Sequence, residues 1–223
     1  MDSMQSIHDL LSCGKEPTFF ATNEVSMFSG AIEAEIAALT ERYGAPQRSL
    51  AVLEDDRFDP YVMTDRYGEV CMVIRRPNGR LITMRKEVYP PGVFRLPTGG
   101  IRHGEAIHAA LLRETAEETG LDVTISRFLC AVGYRGPADP PERIGFASFA
   151  FLLDERGGVL ASHDPAERLE AFGALAPHEL PTLAAHLEQL SATRARAIGG
   201  RWQSWGRFRA VIHRAVATAL ETV

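Results

Sequence analysis

The sequence predicts an α/β sandwich in which a mixed sheet is covered by helices. Three observations predict it. Runs rich in β-branched and other apolar residues, at 69–76, 80–86, 123–134 and 144–153, stand on both sides of one strongly helical stretch near residues 105–119. Strands that break off for a helix and resume after it favour a layered sheet over an all-helical or all-β core. The length of 223 residues is enough for one good core with helical additions at both ends.

Taken in order, residues 1–28 show no sustained period. They read as an N-terminal arm, and the sequence leaves open whether it is flexible, packs on the domain or is foreign to it. Ser29 is placed to cap a helix over residues 31–42, where Ile32, Ile36 and Leu39 recur at helical spacing before Gly44 and Pro46 stop it. A linker rich in Asp, Arg and Pro follows over 54–66, so residues 29–66 read as helix and linker and 67–223 as the main domain. The strands at 69–76 and 80–86 are joined through Pro77-Asn78-Gly79, and Asn-Gly between two β-rich runs signals a hairpin. A loop at Tyr89-Pro90-Pro91-Gly92 and a short strand at 93–96 deliver the chain to a glycine turn at Gly99-Gly100. After the central helix come the strand at 123–134, a Pro-rich loop at 136–142 and the strand at 144–153. Helices near 178–190 and 202–220 close the chain.

Composition narrows the function. A net charge of −5 provides no global basic field for nucleic acid or membrane. Cys13, Cys71 and Cys130 are scattered, without paired metal-ligand spacing, as expected of reduced thiols in a cytoplasmic protein. The longest apolar stretch, at 146–153, is too short to span a bilayer, and the N-terminus lacks a secretory pattern. Six arginines (Arg194, Arg196, Arg201, Arg207, Arg209, Arg214) interleave with Trp202, Trp205 and Phe208. Such a mixture can bind nucleic acid. Yet Trp202, Trp205, Ile212, Ala215 and Ala219 recur every three to four residues, which favours a terminal helix packed on the core.

The chemistry concentrates in residues 99–121, GGIRHGEAIHAALLRETAEETGL. Each helical residue advances about 100°, which brings Glu114, Glu117 and Glu118 within an arc of about 100°. Like charges at these spacings destabilise a helix by roughly 0.2–0.5 kcal/mol per pair. A shared divalent cation would reverse that sign, and an all-oxygen ligand set suits a hard one. Ala109, Leu112 and Ala116 are expected on the opposite face, against the sheet, with Glu105 in the first turn.

The spacing resembles the Nudix box, G-x5-E-x7-R-E-U-x-E-E-x-G-U with U a bulky apolar residue; eight of its nine specified positions match. The departure is Thr115 at the first U, where a methyl group can still pack. The resemblance implies a mixed sheet between helices, with the box as loop–helix–loop. It implies Mg2+, with Mn2+ able to substitute, held by Glu114, Glu117, Glu118 and the backbone carbonyl of Thr98. It further implies that Arg113 orients a carboxylate, and that water hydrolyses the pyrophosphate of a nucleoside diphosphate linked to another group. Carboxylate-bound Mg2+ neutralises pyrophosphate, polarises phosphorus and acidifies water. Glu117 or Glu118 could act as general base, as could a later acid among Glu142, Glu167 and Glu170.

Gly99 and Gly100 are expected to let the backbone approach a phosphate, and Arg95 is the nearest phosphate binder, ahead of Arg75, Arg76, Arg85 and Lys86. ADP-ribose, NDP-sugars, dinucleoside polyphosphates and simple nucleotides all stay open as substrates. A Nudix-type nucleotide-sensing or nucleic-acid-binding module without turnover is the alternative, disfavoured because every box carboxylate is kept. A homodimer through the 31–42 helix is left open.

Overall fold

The structure is a computed structural model that describes residues 27–53 and 58–222. The arm at 1–28 therefore lies outside the described residues except for Met27 and Phe28. Phe28 is buried against Phe149, ring centroids 5.5 Å apart.

Seven strands form one sheet: β1 (Gln47–Val52), β2 (Arg66–Arg75), β3 (Leu81–Lys86), β4 (Thr98–Arg102), β5 (Leu121–Arg135), β6 (Phe146–Gly158) and β7 (Leu169–Leu175). Their order is β1-β5-β6-β2-β3-β7, with β4 also paired to β2. The sheet is mixed. β1 runs parallel to β5 and β6 parallel to β2, whereas β5–β6, β2–β4 and β3–β7 are antiparallel. A two-stranded ribbon, β8 (Arg194–Ala195) and β9 (Gly200–Arg201), precedes the last helix.

Helices cover both faces. Buried β2 side chains alternate because successive residues of a strand point to opposite faces. Val70, Met72 and Ile74 join the core under α1 (Gly30–Tyr43) and α2 (Ile107–Thr119). Cys71 and Val73 join the core under α3 (Leu180–Glu188) and α4 (Trp202–Glu221). β6 splits the same way: Phe149, Phe151 and Leu153 lie on the first side, Ala150 and Leu152 on the second. Both faces are covered, so the two central strands read as near-continuous apolar runs.

Several local expectations are corrected. Ser29 occupies the N-cap of α1 with no side-chain hydrogen bond; the Phe28 amide is instead satisfied by Glu33 Oε1 at 2.9 Å. The segment at 93–96 makes one bridge, Met84 to Arg95, and no strand. Gly99 and Gly100 do not turn the chain: they are strand residues of β4, opposite Val70 and Glu69 of β2. The turn falls at Gly104, whose φ of +80° suits a residue without Cβ. Glu105 precedes α2, which begins at Ile107. The face of α2 is also reversed. Ala109, Leu112 and Ala116 point to solvent, Leu112 being 45% exposed. The side facing the sheet is Ile107, Ala110, Leu111, Glu114, Thr115, Glu118 and Thr119. Thr115 is accommodated there because its hydroxyl donates to Leu111 O at 2.7 Å.

Candidate active site

The reversal of α2 matters because it turns two of the three acids inward. Glu118 is 2% exposed and Glu114 9%, while Glu117 lies at the rim. All three line a cavity of about 350 Å3, together with Thr98, Gly99, Gly100 and Arg95. The structure thus brings the sequence-predicted site residues together. Gly99 is required by a close approach: a Cβ there would lie 2.2 Å from Glu114 Cδ. Gly100 leaves room for Arg66 in the same way, with Arg66 Nη1 2.6 Å from where a Cβ would stand.

Arg113 organises the acids. It donates to Glu105 through Nε and Nη2 at 2.7 and 2.8 Å, to Glu114 at 2.6 Å, to Glu117 at 3.1 Å and to the Gly100 carbonyl at 3.0 Å. Glu105 also accepts from the Arg102 amide, and its pKa is held below the usual range, chiefly by Arg113. Its position locks the turn into α2.

Among the later acids the structure separates the candidates. Glu142 is exposed in the 136–145 turn, and Glu170 pairs with Arg85 at 2.5 Å; neither lines the cavity. Glu167 does line it, paired with Lys86 and within hydrogen-bonding reach of Glu118. Asp164 joins the same wall. Arg75 and Arg76 are engaged with Asp154 and Glu155 and stand away from the cavity.

The carboxylates differ in charge state. Burial pushes the Glu118 pKa up to about 8, against the pull of Arg95 and Lys86. Burial raises Glu114 as well, outweighing Arg113. Glu167 goes the other way: burial would raise it, but the Lys86 ammonium prevails and holds it below the usual range. In the metal-free protein the wall therefore sets a carboxyl that holds its proton more tightly beside one that releases it more readily.

As they stand, no three carboxylate, imidazole or thiolate groups converge as a metal cluster among the described residues. Glu114 and Glu117 are turned onto Arg113 instead. The donor chemistry nevertheless fits a hard cation. Glu118 Oε2 is buried without a hydrogen-bond partner, and such an atom is costly unless something completes it. Glu114, Glu117 and Glu167 line the same cavity and offer carboxylate oxygens, the ligands such a cation takes.

Apart from Arg95 and Thr98, the floor of the cavity does not show in the sequence reading. Glu69 of β2 is buried and accepts from Arg209 of α4 at 2.6 and 2.8 Å and from Ser148 Oγ at 2.9 Å. Arg95 donates to Tyr89 Oη, Leu96 O and Thr98 Oγ1. His213 of α4 accepts the Leu96 amide on Nε2 at 2.9 Å, and its Nδ1 lies 2.7 Å from Arg209 O; these partners place the proton on Nδ1. A charge inside an apolar strand, EVCMVI, and another inside an apolar helix were the available signals. Of the other C-terminal arginines, Arg214 pairs with Glu188 at 2.6 Å, and the aromatics Trp202, Trp205 and Phe208 are buried in the core.

Residues 66–195 match the family model of the NUDIX domain. The ADP-ribose pyrophosphatase of Methanocaldococcus jannaschii is 34% identical over 118 residues, 53% of this chain and 66% of that protein. Nudix hydrolase 19, chloroplastic, of Arabidopsis thaliana is 34% identical over 101 residues, 44% of this chain and 22% of its own length. The chain thus spans under two thirds of either relative. Among solved structures, a MutT NUDIX hydrolase from Burkholderia pseudomallei is 22% identical, with 65% of this chain and 97% of that one covered and a TM-score of 0.38. The E. coli ORF135 protein is 20% identical, covering 52% of this chain and 76% of its own, with a TM-score of 0.40.

Proposed function

The chain belongs to the Nudix family, and we propose on that premise that it hydrolyses the pyrophosphate bond of a nucleoside diphosphate linked to another group. The observation that carries the proposal is the buried, unpartnered Glu118 oxygen in a cavity that also holds Glu114, Glu117, Glu167 and Arg95. Glu114, Glu117, Glu118 and the Thr98 carbonyl would hold a divalent cation, Mg2+ or in its place Mn2+. When bound, the cation supplies positive charge that neutralises the diphosphate and polarises phosphorus.

The chain's own groups do the rest. Gly99 and Gly100 leave room over β4 for Glu114 and Arg66, which border the cavity. Arg95 and Lys86 give the phosphates fixed cations, and Arg113 keeps Glu114 and Glu117 aligned along α2. Glu167, ionised beside Lys86, accepts the proton of the attacking water. ADP-ribose heads the candidate substrates because a relative carries that activity in its name.

Both described cysteines, Cys71 and Cys130, are free and buried, which fits the reducing cytoplasm where we place the enzyme. No helix among the described residues is long and apolar enough to cross a membrane.

The test is chromatographic. ADP-ribose, NDP-sugars, dinucleoside polyphosphates, NDPs and NTPs are incubated with and without millimolar Mg2+, resolving nucleoside monophosphate, phosphate and pyrophosphate. Metal-dependent release of a nucleoside monophosphate is the expected result. No cleavage of any compound with either metal removes the hydrolase reading.

A further inference from the structure

Arg209 lies beyond the residues matched to the family, yet it lines the cavity that holds the carboxylates. Among the described residues, all its side-chain hydrogen bonds leave from one nitrogen. Nη1 donates to Glu69 Oε1 and Oε2 at 2.8 and 2.6 Å and to Thr98 Oγ1 at 3.2 Å. A guanidinium carries five donors in a planar fork, and oxyanions are commonly taken on two of its nitrogens at once. Here Nε and Nη2, which share one edge of the fork, have no hydrogen-bond partner among the described residues, and Nε is fully buried.

Arg95 repeats this arrangement from the other side of the same threonine. Its Nη1 donates to Thr98 Oγ1 at 3.0 Å and to Leu96 O at 2.8 Å, and its Nε to Tyr89 Oη at 2.7 Å. Its Nη2 is likewise uncommitted, and every one of its partners is neutral although the residue is 2% exposed. Two buried guanidiniums thus share one hydroxyl, while a single buried carboxylate, Glu69, is paired with one of them. Buried charges are ordinarily paired, because removing them from water is expensive. The uncommitted edges of the two guanidiniums are the donors an anion arriving with a ligand would use.

We propose that Arg95 and Arg209 form a paired-guanidinium seat for a phosphoryl group, and that Arg209 brings α4 into substrate recognition. The ligand class is a pyrophosphate ester, with one phosphoryl group on this pair and the other toward the carboxylate wall; this part rests on the hydrolase reading above. Thr98 fixes the separation of the two guanidiniums, and Glu69 keeps Arg209 from swinging into the cavity.

The test separates phosphate binding from a purely structural tie between Arg209 and Glu69. Arg209→Lys keeps a cation for Glu69 but loses the Nε–Nη2 edge. Calorimetric titration of the metal-free protein with inorganic pyrophosphate reads the seat without turnover. Binding by Arg209→Lys should be weaker by about tenfold or more, and with active substrate the rise in KM should exceed the fall in kcat. A folded Arg209→Lys that binds pyrophosphate as the wild type does, or a wild type that binds none, overturns the proposal. If Arg209→Lys does not fold, the Glu69→Gln/Arg209→Gln double variant removes both buried charges together. The same loss of pyrophosphate binding is expected from it, and wild-type affinity overturns the proposal. Wild-type binding that the variant loses, with no hydrolysis of any nucleotide, supports the seat while removing the hydrolase reading.

Discussion

The two walls of the cavity are assembled in opposite ways. The acidic wall is built mostly from near neighbours: Glu105, Arg113, Glu114, Glu117 and Glu118 lie on one turn and one helix, and Arg113 to Glu105 spans eight positions. The cationic floor is built from distant parts of the chain, with Arg209 reaching Glu69 across 140 positions and His213 reaching Leu96 across 117. The first therefore shows as spacing in the sequence, whereas the second exists only once α4 has docked. Local elements set the reactive groups, and long-range packing sets the field around them.

Glu118 and His213, one from each side, are shifted in opposite directions. In the metal-free protein the Glu118 pKa rises from 4.5 to about 8, so the native state binds more protons than the unfolded chain across that window. Its contribution to stability is present at low pH and is lost as pH rises toward 8. His213 falls from 6.5 to about 3 through burial, so the unfolded chain binds the extra proton. Its contribution is present above 6.5 and is lost as pH falls toward 3.

Variants can break this contrast, beginning with the largest effect. Glu167→Gln should lower kcat by about 1,000-fold while leaving divalent-metal binding in place, if Glu167 takes the proton from water. Stopped-time assays paired with metal titration check it; loss of metal binding would instead make Glu167 a ligand. Gly99→Ala drives a Cβ into Glu114 and should cost about 100-fold in kcat through misplacement of that acid. Urea unfolding should show a stability loss of about 1–3 kcal/mol for the same variant.

On the floor, His213→Gln should act through pH rather than turnover. Wild type should lose about 2 kcal/mol between pH 7 and pH 5 from this histidine, and the variant should lack that increment. Urea midpoints at the two pH values check it, and parallel pH profiles would contradict the neutral His213. The last effect is read on metal-free stability at Glu118. Glu118→Gln should match wild type near pH 5 and become the more stable protein near pH 8, by thermal unfolding in chelator.

The pattern of what was legible follows the same division. The helix α2, the Asn78-Gly79 hairpin and the paired strands at the centre of the sheet show in the sequence because their residues are contiguous and doubly buried. The strands β1 and β7 do not, since they form the two ends of the sheet order and their side chains are mostly half-exposed, leaving little apolar period to read. The α2 face was misread because small residues were assigned to the sheet side. In the structure two glutamates occupy that side, where the cavity and the Gly99 gap give them room. Glu167 was one of three equal candidates until the fold placed it beside Lys86. Arg209 shows in the sequence only as one of six arginines interleaved with aromatics, because nothing local to it shows that Glu69 is waiting in the sheet.

The most direct test of the central claim is turnover by Glu118→Gln in saturating Mg2+, measured on whichever nucleotide the wild type cleaves best. The account predicts a loss of about 1,000-fold or more, with the protein folded and its metal-free unfolding temperature at pH 5 unchanged. Near-normal turnover by a folded Glu118→Gln protein would contradict it and take the buried carboxylate out of the chemistry.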